Sequence, residues 1–270
     1  MASSLASSID FVEPCRIAPE KERRWLEALR RRYHHRRFVS PDPLEVLYDY
    51  EDLRDREIVG LIASSLAYGN VKAMLPAIRS VLETLGPSPA ARLQSARPGT
   101  LRRHLRGFRY RFTSGDQLAG LLSAIRIIIA ERGNLEACFC ANLADDDETI
   151  LPALGTFVEV LTDAADCPLA HLVPHPANGS ACKRLNLFLR WMVRSDVIDP
   201  GGWRGIRLAR LIMPLDTHVH RTALERGWTR RKTADLAAAM EITAVLRGIH
   251  PDDPLRYDFA ITRPGIRGEG

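Results

Sequence analysis

The sequence predicts an all-α fold, and three observations carry that prediction. Apolar residues recur at helical spacing in one segment after another, no stretch alternates apolar and polar residues as a half-buried strand does, and turn residues separate the helical segments at modest intervals. The chain has 270 residues, 46% hydrophobic and 26% charged. That balance excludes a disordered or fibrous chain. The length fits two ordinary domains or one larger helical unit, and no internal repeat decides between them. No apolar run approaches the ~20 residues of a bilayer span. The nearest candidate, Leu118–Ala130, is interrupted by Arg126. Met1–Asp10 has neither the basic start nor the long apolar run of a secretory signal, so the expectation is a soluble intracellular protein.

Residues 1–18 are rich in Ser and Ala without a period and read as a flexible tail. Glu20–Tyr33 places Trp25, Leu26, Leu29 and Tyr33 on one helical face. Ser40-Pro41-Asp42-Pro43 breaks the chain before a short helix over Leu44–Tyr50. Asp55–Tyr68 follows, with Asp55 as its cap and Ile58, Leu61, Ile62, Ser65 and Leu66 facing inward. Gly69-Asn70 separates it from a helix over Val71–Leu85, which stops at Gly86-Pro87. Leu118–Glu131 is apolar on most faces and reads as a central buried helix. The acidic run Asp145–Glu148 heads a helix over Thr149–Thr162, where negative charge suits a helix start better than a metal. Amphipathic helices over Ala181–Arg194, Thr217–Arg226 and Ala234–Arg247 complete the set.

Cys15, Cys138, Cys140, Cys167 and Cys182 form neither a disulfide framework nor the four-cysteine set of an iron–sulfur site, and Cys138-Phe139-Cys140 is too tight for a zinc ribbon. The eight histidines show no His-Glu-x-x-His or comparable arrangement. The prediction is no metal and no cofactor.

Charge is more informative. The net charge is +5, from 38 basic and 33 acidic residues, and only Lys21, Lys72, Lys183 and Lys232 are lysines. Genomic composition bias toward arginine codons is one cause of this usage; the other reading is that a lysine retained where arginine serves nearly everywhere marks a need for an amine that can deprotonate. Arg92–Arg111 holds seven arginines and no acid, and Lys183–Lys232 holds twelve basic against four acidic residues, leaving the remainder at −10. That asymmetry predicts either a polyanion-binding face or solvated helix surfaces.

The segment Pro214-Leu215-Asp216-Thr217-His218-Val219-His220-Arg221 is the most informative in the chain. Asp216 directly precedes an amphipathic helix, in N-cap position. A cap alone accounts for an Asp there, and leaves the residues around it unexplained.

Pro-Leu-Asp-Thr-His-Val-His-Arg resembles the Pro-Val-Asp-Thr-His-Val-x-Arg segment of the helix–hairpin–helix DNA glycosylases, the endonuclease III superfamily. Gly227-Trp228, Arg231-Lys232-Thr233 and Pro254–Gly265 extend the likeness over roughly residues 178–265, and Ile58–Asn70 is similar to the superfamily's early helix. Endonuclease III itself carries a Leu-Pro-Gly-Val-Gly hairpin, which is absent here. The layout is closest to the archaeal 8-oxoguanine glycosylases, whose lysine opens an apolar helix well before the Asp. Lys183-Arg184-Leu185-Asn186-Leu187-Phe188 is similar to that start, and Asp258 with Gly265 matches an Asp-x₆-Gly of their last helix. The whole chain also resembles a family of uncharacterised bacterial proteins with an ending like Pro-Asp-Asp-Pro-Leu-Arg-Tyr-Asp-Phe-Ala.

The resemblance implies two helical subdomains with a cleft between them, one over 55–170 and the other over 19–54 plus 171–270. It implies a base-excision glycosylase with abasic-site lyase activity on an oxidised purine such as 8-oxoguanine. Lys183 would be the nucleophile and Asp216 the carboxylate that stabilises positive charge at C1′. Lys183 is otherwise a surface charge beside Arg184. Asp258 would face the base. His218 would orient Asp216 or contact phosphate, or else pack on the helix start. Trp191 would stack on a flipped base, or else belong to the core. Tyr68 or Asn70 would fill the gap left by that base. Arg184, Arg221, Arg103 and Arg106 would meet the DNA backbone. The expected partner is damaged duplex DNA, met in the cytoplasm at the nucleoid by a monomer. Two other readings stand beside this one. One is a nucleic-acid-binding protein with the same fold and no catalysis, which has no use for an amine at 183. The other is a helical interaction protein, which the local basic excess disfavours.

Overall fold

A computed structural model of the protein describes residues 18–97, 99–169 and 171–269. The tail expected over 1–18 lies, Ala18 apart, outside them. The described residues are mostly helical, and the all-α expectation holds.

They group into two compact units. One comprises the described residues up to Ser40, Asp145–Pro152, and Pro176 onward. It holds α1 (Pro19–Tyr33), α9 (Lys183–Val193), α10 (Thr217–Glu225), α11 (Leu236–Ile249) and α12 (Asp258–Ile266). The other comprises Pro41–Ala144 and Ala153–His175. It holds α2 (Leu53–Ser65), α3 (Val71–Leu85), α4 (Pro89–Ser95), α5 (Thr100–His104), a hairpin of β1 (Arg109–Tyr110) and β2 (Thr113–Ser114), α6 (Gly115–Arg132), α7 (Leu135–Cys140) and most of α8 (Leu151–Ala164). The short helix over Pro43–Asp49 is 3₁₀ and packs with α2 in this second unit.

Local chemistry sets most limits. Asn70 accepts from Lys72 N at 2.8 Å to start α3, and Gly86 ends it at φ +72°. Ser114 and Gln117 form a reciprocal capping box at the head of α6, whose Leu118, Leu121, Leu122, Ile125 and Ile128 are buried. Asp52 caps α2 in place of Asp55. The Asp55 carboxylate is buried and instead takes Ala90 N at 2.7 Å and the Ser88 hydroxyl at 3.2 Å, holding the start of α4. In the first unit α1 packs on α11 and α12, and α10 on α12. Glu22 there accepts from Nε and Nη2 of Arg226, at 2.6 and 2.7 Å, and from the Trp228 indole N–H at 3.2 Å. Among the described residues no helix is long and apolar enough to cross a membrane.

Candidate active site

The first unit brings Lys183 and Asp216 together. Lys183 is the first residue of α9, whose Leu185, Phe188, Leu189 and Met192 are buried. The residue before it, Cys182, has φ +45°. Apart from glycines, Cys182 and Arg111 are the described residues with positive φ. Left-handed backbone costs a residue with a Cβ ~1–2 kcal/mol, and such strain persists where surrounding packing imposes it. The chain therefore turns sharply into α9 and sets the lysine at the helix's first position. Burial pushes the Cys182 thiol up to about 11, so it is the protonated thiol at neutral pH.

Asp216 is the N-cap of α10. Its Oδ1 accepts from His218 N at 2.9 Å and Val219 N at 2.8 Å. Its Oδ2 faces Lys183 Nζ at 3.8 Å, an ion-pair contact longer than a hydrogen bond. The two oxygens divide the work: one holds the helix and the other meets the amine. The lysine side chain is 37% exposed and that of the aspartate 16%, so both are reachable from solvent.

Deeper along α9, Arg190 and Arg194 anchor a buried ion cluster. Arg190 reaches Asp199 at 3.0 Å and also pairs with Asp258. Arg194 reaches Asp199 Oδ2 at 3.0 Å and Asp196 at 2.6 Å, and pairs with Asp253. His34 meets Asp196 at 3.1 Å. Four carboxylates thus surround two guanidinium groups. Burial alone would raise Asp196, but its His34 hydrogen bond and Arg194 hold it well below the usual carboxylate range. Burial pushes Asp199 and Asp258 upward despite their arginines, and the Asp216 charge adds to this at Asp258.

The remaining predicted residues fall into four groups. Asp258, expected to face a base, is 1% exposed at the start of α12 and held by Arg190, while its Oδ1 is buried without a partner. Trp191, expected to stack, is wholly buried with its indole N–H unpartnered, so it offers no face to a base in this conformation. His218 lies against α12: a Cβ on Gly265 would stand 2.2 Å from its Nδ1, so the glycine makes room for the imidazole. Tyr68 and Asn70 belong to the second unit. The Tyr68 hydroxyl bonds Thr113 Oγ1 at 2.7 Å and Tyr110 O at 3.0 Å, and Asn70 is the α3 cap. Arg103, Arg106 and Arg221 are exposed and Arg184 half-buried.

The structure corrects the charge reading of 183–232. Arg190, Arg194 and Arg210 are buried, Arg226 is taken by Glu22, and Arg231 by Glu241 at 2.7 Å. Part of the excess there is internal ion pairing, while Arg204, Arg207, Arg221, Arg230 and Lys232 remain exposed. The 92–111 segment differs: Arg97, Arg102, Arg103, Arg106, Arg109 and Arg111 are all exposed, although Arg102 is ion-paired with Asp166 at 2.8 Å and Asp116 at 3.4 Å. Arg97 and Arg102 also line a cavity of about 140 Å³ with Arg126 and Ser123. Sequence reasoning missed the polar stripe of α9. Asn186, Arg190 and Arg194 follow Lys183 at helical spacing through an otherwise apolar run, and that was the available signal. Asn186 is buried, with its Oδ1 lacking a partner.

Fold and site together define a helical protein with a reachable amine and a capping carboxylate side by side at the starts of two helices. Residues 42–267 match the model of the DUF2400 family, described as a protein of unknown function, and the chain belongs to that family. No curated protein and no solved structure matches the chain.

Proposed function

We propose that the protein is a DNA base-excision enzyme, a glycosylase with abasic-site lyase activity on an oxidised purine such as 8-oxoguanine. The observation that carries this reading is the 3.8 Å approach of Lys183 Nζ to Asp216 Oδ2, close enough for one reacting carbon to meet both groups. The amine, once deprotonated, attacks C1′ as the C1′–N bond breaks, and the bond's electrons leave with the base. Positive charge develops at C1′ and O4′, and the Asp216 carboxylate stabilises it. Opening of the sugar, with O4′ taking a proton, yields a Schiff base on Lys183. Loss of a C2′ proton then expels the 3′ phosphate and cuts the strand. The exposed arginines of 92–111 supply charge for the DNA backbone.

The rival reading is a nucleic-acid-binding protein of the same fold without catalysis. It is favoured by the cap bonds of Asp216, which give that residue a structural reason to be present. Borohydride trapping separates the two. Wild-type protein on duplexes carrying different lesions should give a reduced covalent adduct with at least one of them, and Lys183→Gln should give none, because an amide forms no Schiff base. Absence of an adduct on every lesion, or an adduct that survives Lys183→Gln, removes the catalytic reading.

A further inference from the structure

We propose that the β1–β2 hairpin is a nucleic-acid contact in which Phe112 stacks on bases left unpaired in a duplex, while neighbouring arginines hold the backbone. This rests on the DNA reading above and assigns Phe112, which that reading leaves without a role.

Arg109 pairs with Ser114 and Tyr110 with Thr113, so Arg111 and Phe112 form a two-residue turn. Phe112 at its tip is 75% exposed, more than any other large apolar residue among those described. Phenylalanine left in water contributes nothing to the unit's own core. Arg111 occupies the first turn position at φ +51°, where tight hairpins of this kind favour glycine. Both features work against stability, and both sit in adjacent residues.

The base of the hairpin is firmly held. Tyr110 and Thr113 are buried. The Tyr110 hydroxyl donates to Tyr68 O, and the Tyr68 hydroxyl bonds back to Tyr110 O at 3.0 Å. Thr113 Oγ1 meets His171 Nε2 at 2.9 Å. Gly69, with φ +83°, lies directly beside Arg111: a Cβ there would stand 2.8 Å from the Arg111 Cδ. Tyr68 and Gly69 therefore brace the hairpin, and it is Phe112 that reaches outward.

The chemistry around the tip selects the partner. Arg103, Arg106, Arg109 and Arg111 are exposed, and no acid lies between residues 92 and 111. The Arg111 guanidinium stands 5.6 Å from the Phe112 ring centroid, so a cation and an aromatic face are presented together. Unpaired bases stack on aromatic rings beside arginines, whose charge meets phosphate. A membrane surface needs a broader apolar face than one ring.

The test compares wild type, Phe112→Ala and Phe112→Trp by fluorescence anisotropy at low salt. The probes are a short duplex with one abasic-site analogue, the same duplex intact, and vesicles of anionic phospholipid. Phe112→Ala should bind the abasic duplex about tenfold more weakly or worse, the range found for removing one base–aromatic stack. It should bind the intact duplex as wild type does, and Phe112→Trp should keep the preference. If wild type binds DNA and Phe112→Ala binds the abasic duplex equally well, or loses both duplexes alike, this inference fails while the DNA reading stands. If wild type binds neither duplex, both fail. Binding to vesicles alone, lost with Phe112→Ala, also overturns the proposal and makes the tip a membrane contact.

Discussion

Asp216→Asn separates the two oxygens of one carboxylate. Oδ1 holds two backbone N–H groups of α10, and Oδ2 faces the lysine. Asparagine keeps an oxygen for the cap, and it caps about as well as aspartate. What goes is a half-exposed ion pair at 3.8 Å, and such pairs contribute ~0–1 kcal/mol. The variant should therefore lose at most ~1 kcal/mol of stability, whereas Asp216→Ala loses the cap bonds as well, a further ~1 kcal/mol. Base release depends on the charge itself. Removing a group that stabilises a developing charge costs ~10²-fold or more, equivalent to ~2.7 kcal/mol in the barrier. Urea denaturation measures the first quantity, and single-turnover release from a lesion-bearing duplex the second. A folded Asp216→Asn protein that releases base as fast as wild type would refute the reasoning, and Asp216 would then be a helix cap alone.

Arg190→Met leaves Asp199 and Asp258 buried with one guanidinium fewer between them. Breaking a buried pair from one side costs ~3–5 kcal/mol, which urea denaturation should show, and adding Asp258→Asn should recover part of it. A loss below ~1 kcal/mol would mean that the cluster is hydrated. Acid should remove the part of the cluster's stability that Asp196 contributes, whereas Asp199 and Asp258, pushed upward by burial, oppose that loss. Asp196 lies below its ordinary 3.8 in the folded protein, so its contribution is present above that value and is lost as pH falls further toward the folded value. Neutralising it with Asp196→Asn should flatten the acid limb of stability against pH, and an unchanged limb would contradict the assignment.

The sequence revealed helices wherever the signals were local. The ends of α3 fall at Val71 and Leu85 as the periodicity placed them, because Asn70 and Gly86 act on adjacent residues. The cap of α10 was legible for the same reason. Asp52 and Asp55 both precede or open α2, and the choice between them depends on Ala90, 35 residues beyond Asp55. The helices α4, α5 and α7 and the hairpin are too short to show a period. At the candidate site the lysine and aspartate stand out in the sequence through the motif resemblance. The ion cluster was not, because Arg190 and Asp258 are 68 residues apart and no local pattern joins them. Arginines that read as surface charge turned out to be interior for that reason.

The first unit is assembled from distant stretches of chain, which has a consequence for biosynthesis. α1 buries Leu26 and Tyr33, gives Glu22 to Arg226 and Trp228, and sends the Tyr33 hydroxyl to Glu269 at 2.8 Å. None of these partners exists when α1 leaves the ribosome. The second unit's residues are all made by His175, so it can close while α1 is still waiting. Through that interval the nascent chain carries an amphipathic helix with its apolar stripe uncovered. Arg23, Arg24, Arg30, Arg31 and Arg32 crowd the same helix and keep it in water. A slow stretch of translation beyond residue 176 would prolong the time for which the apolar stripe of α1 stays uncovered.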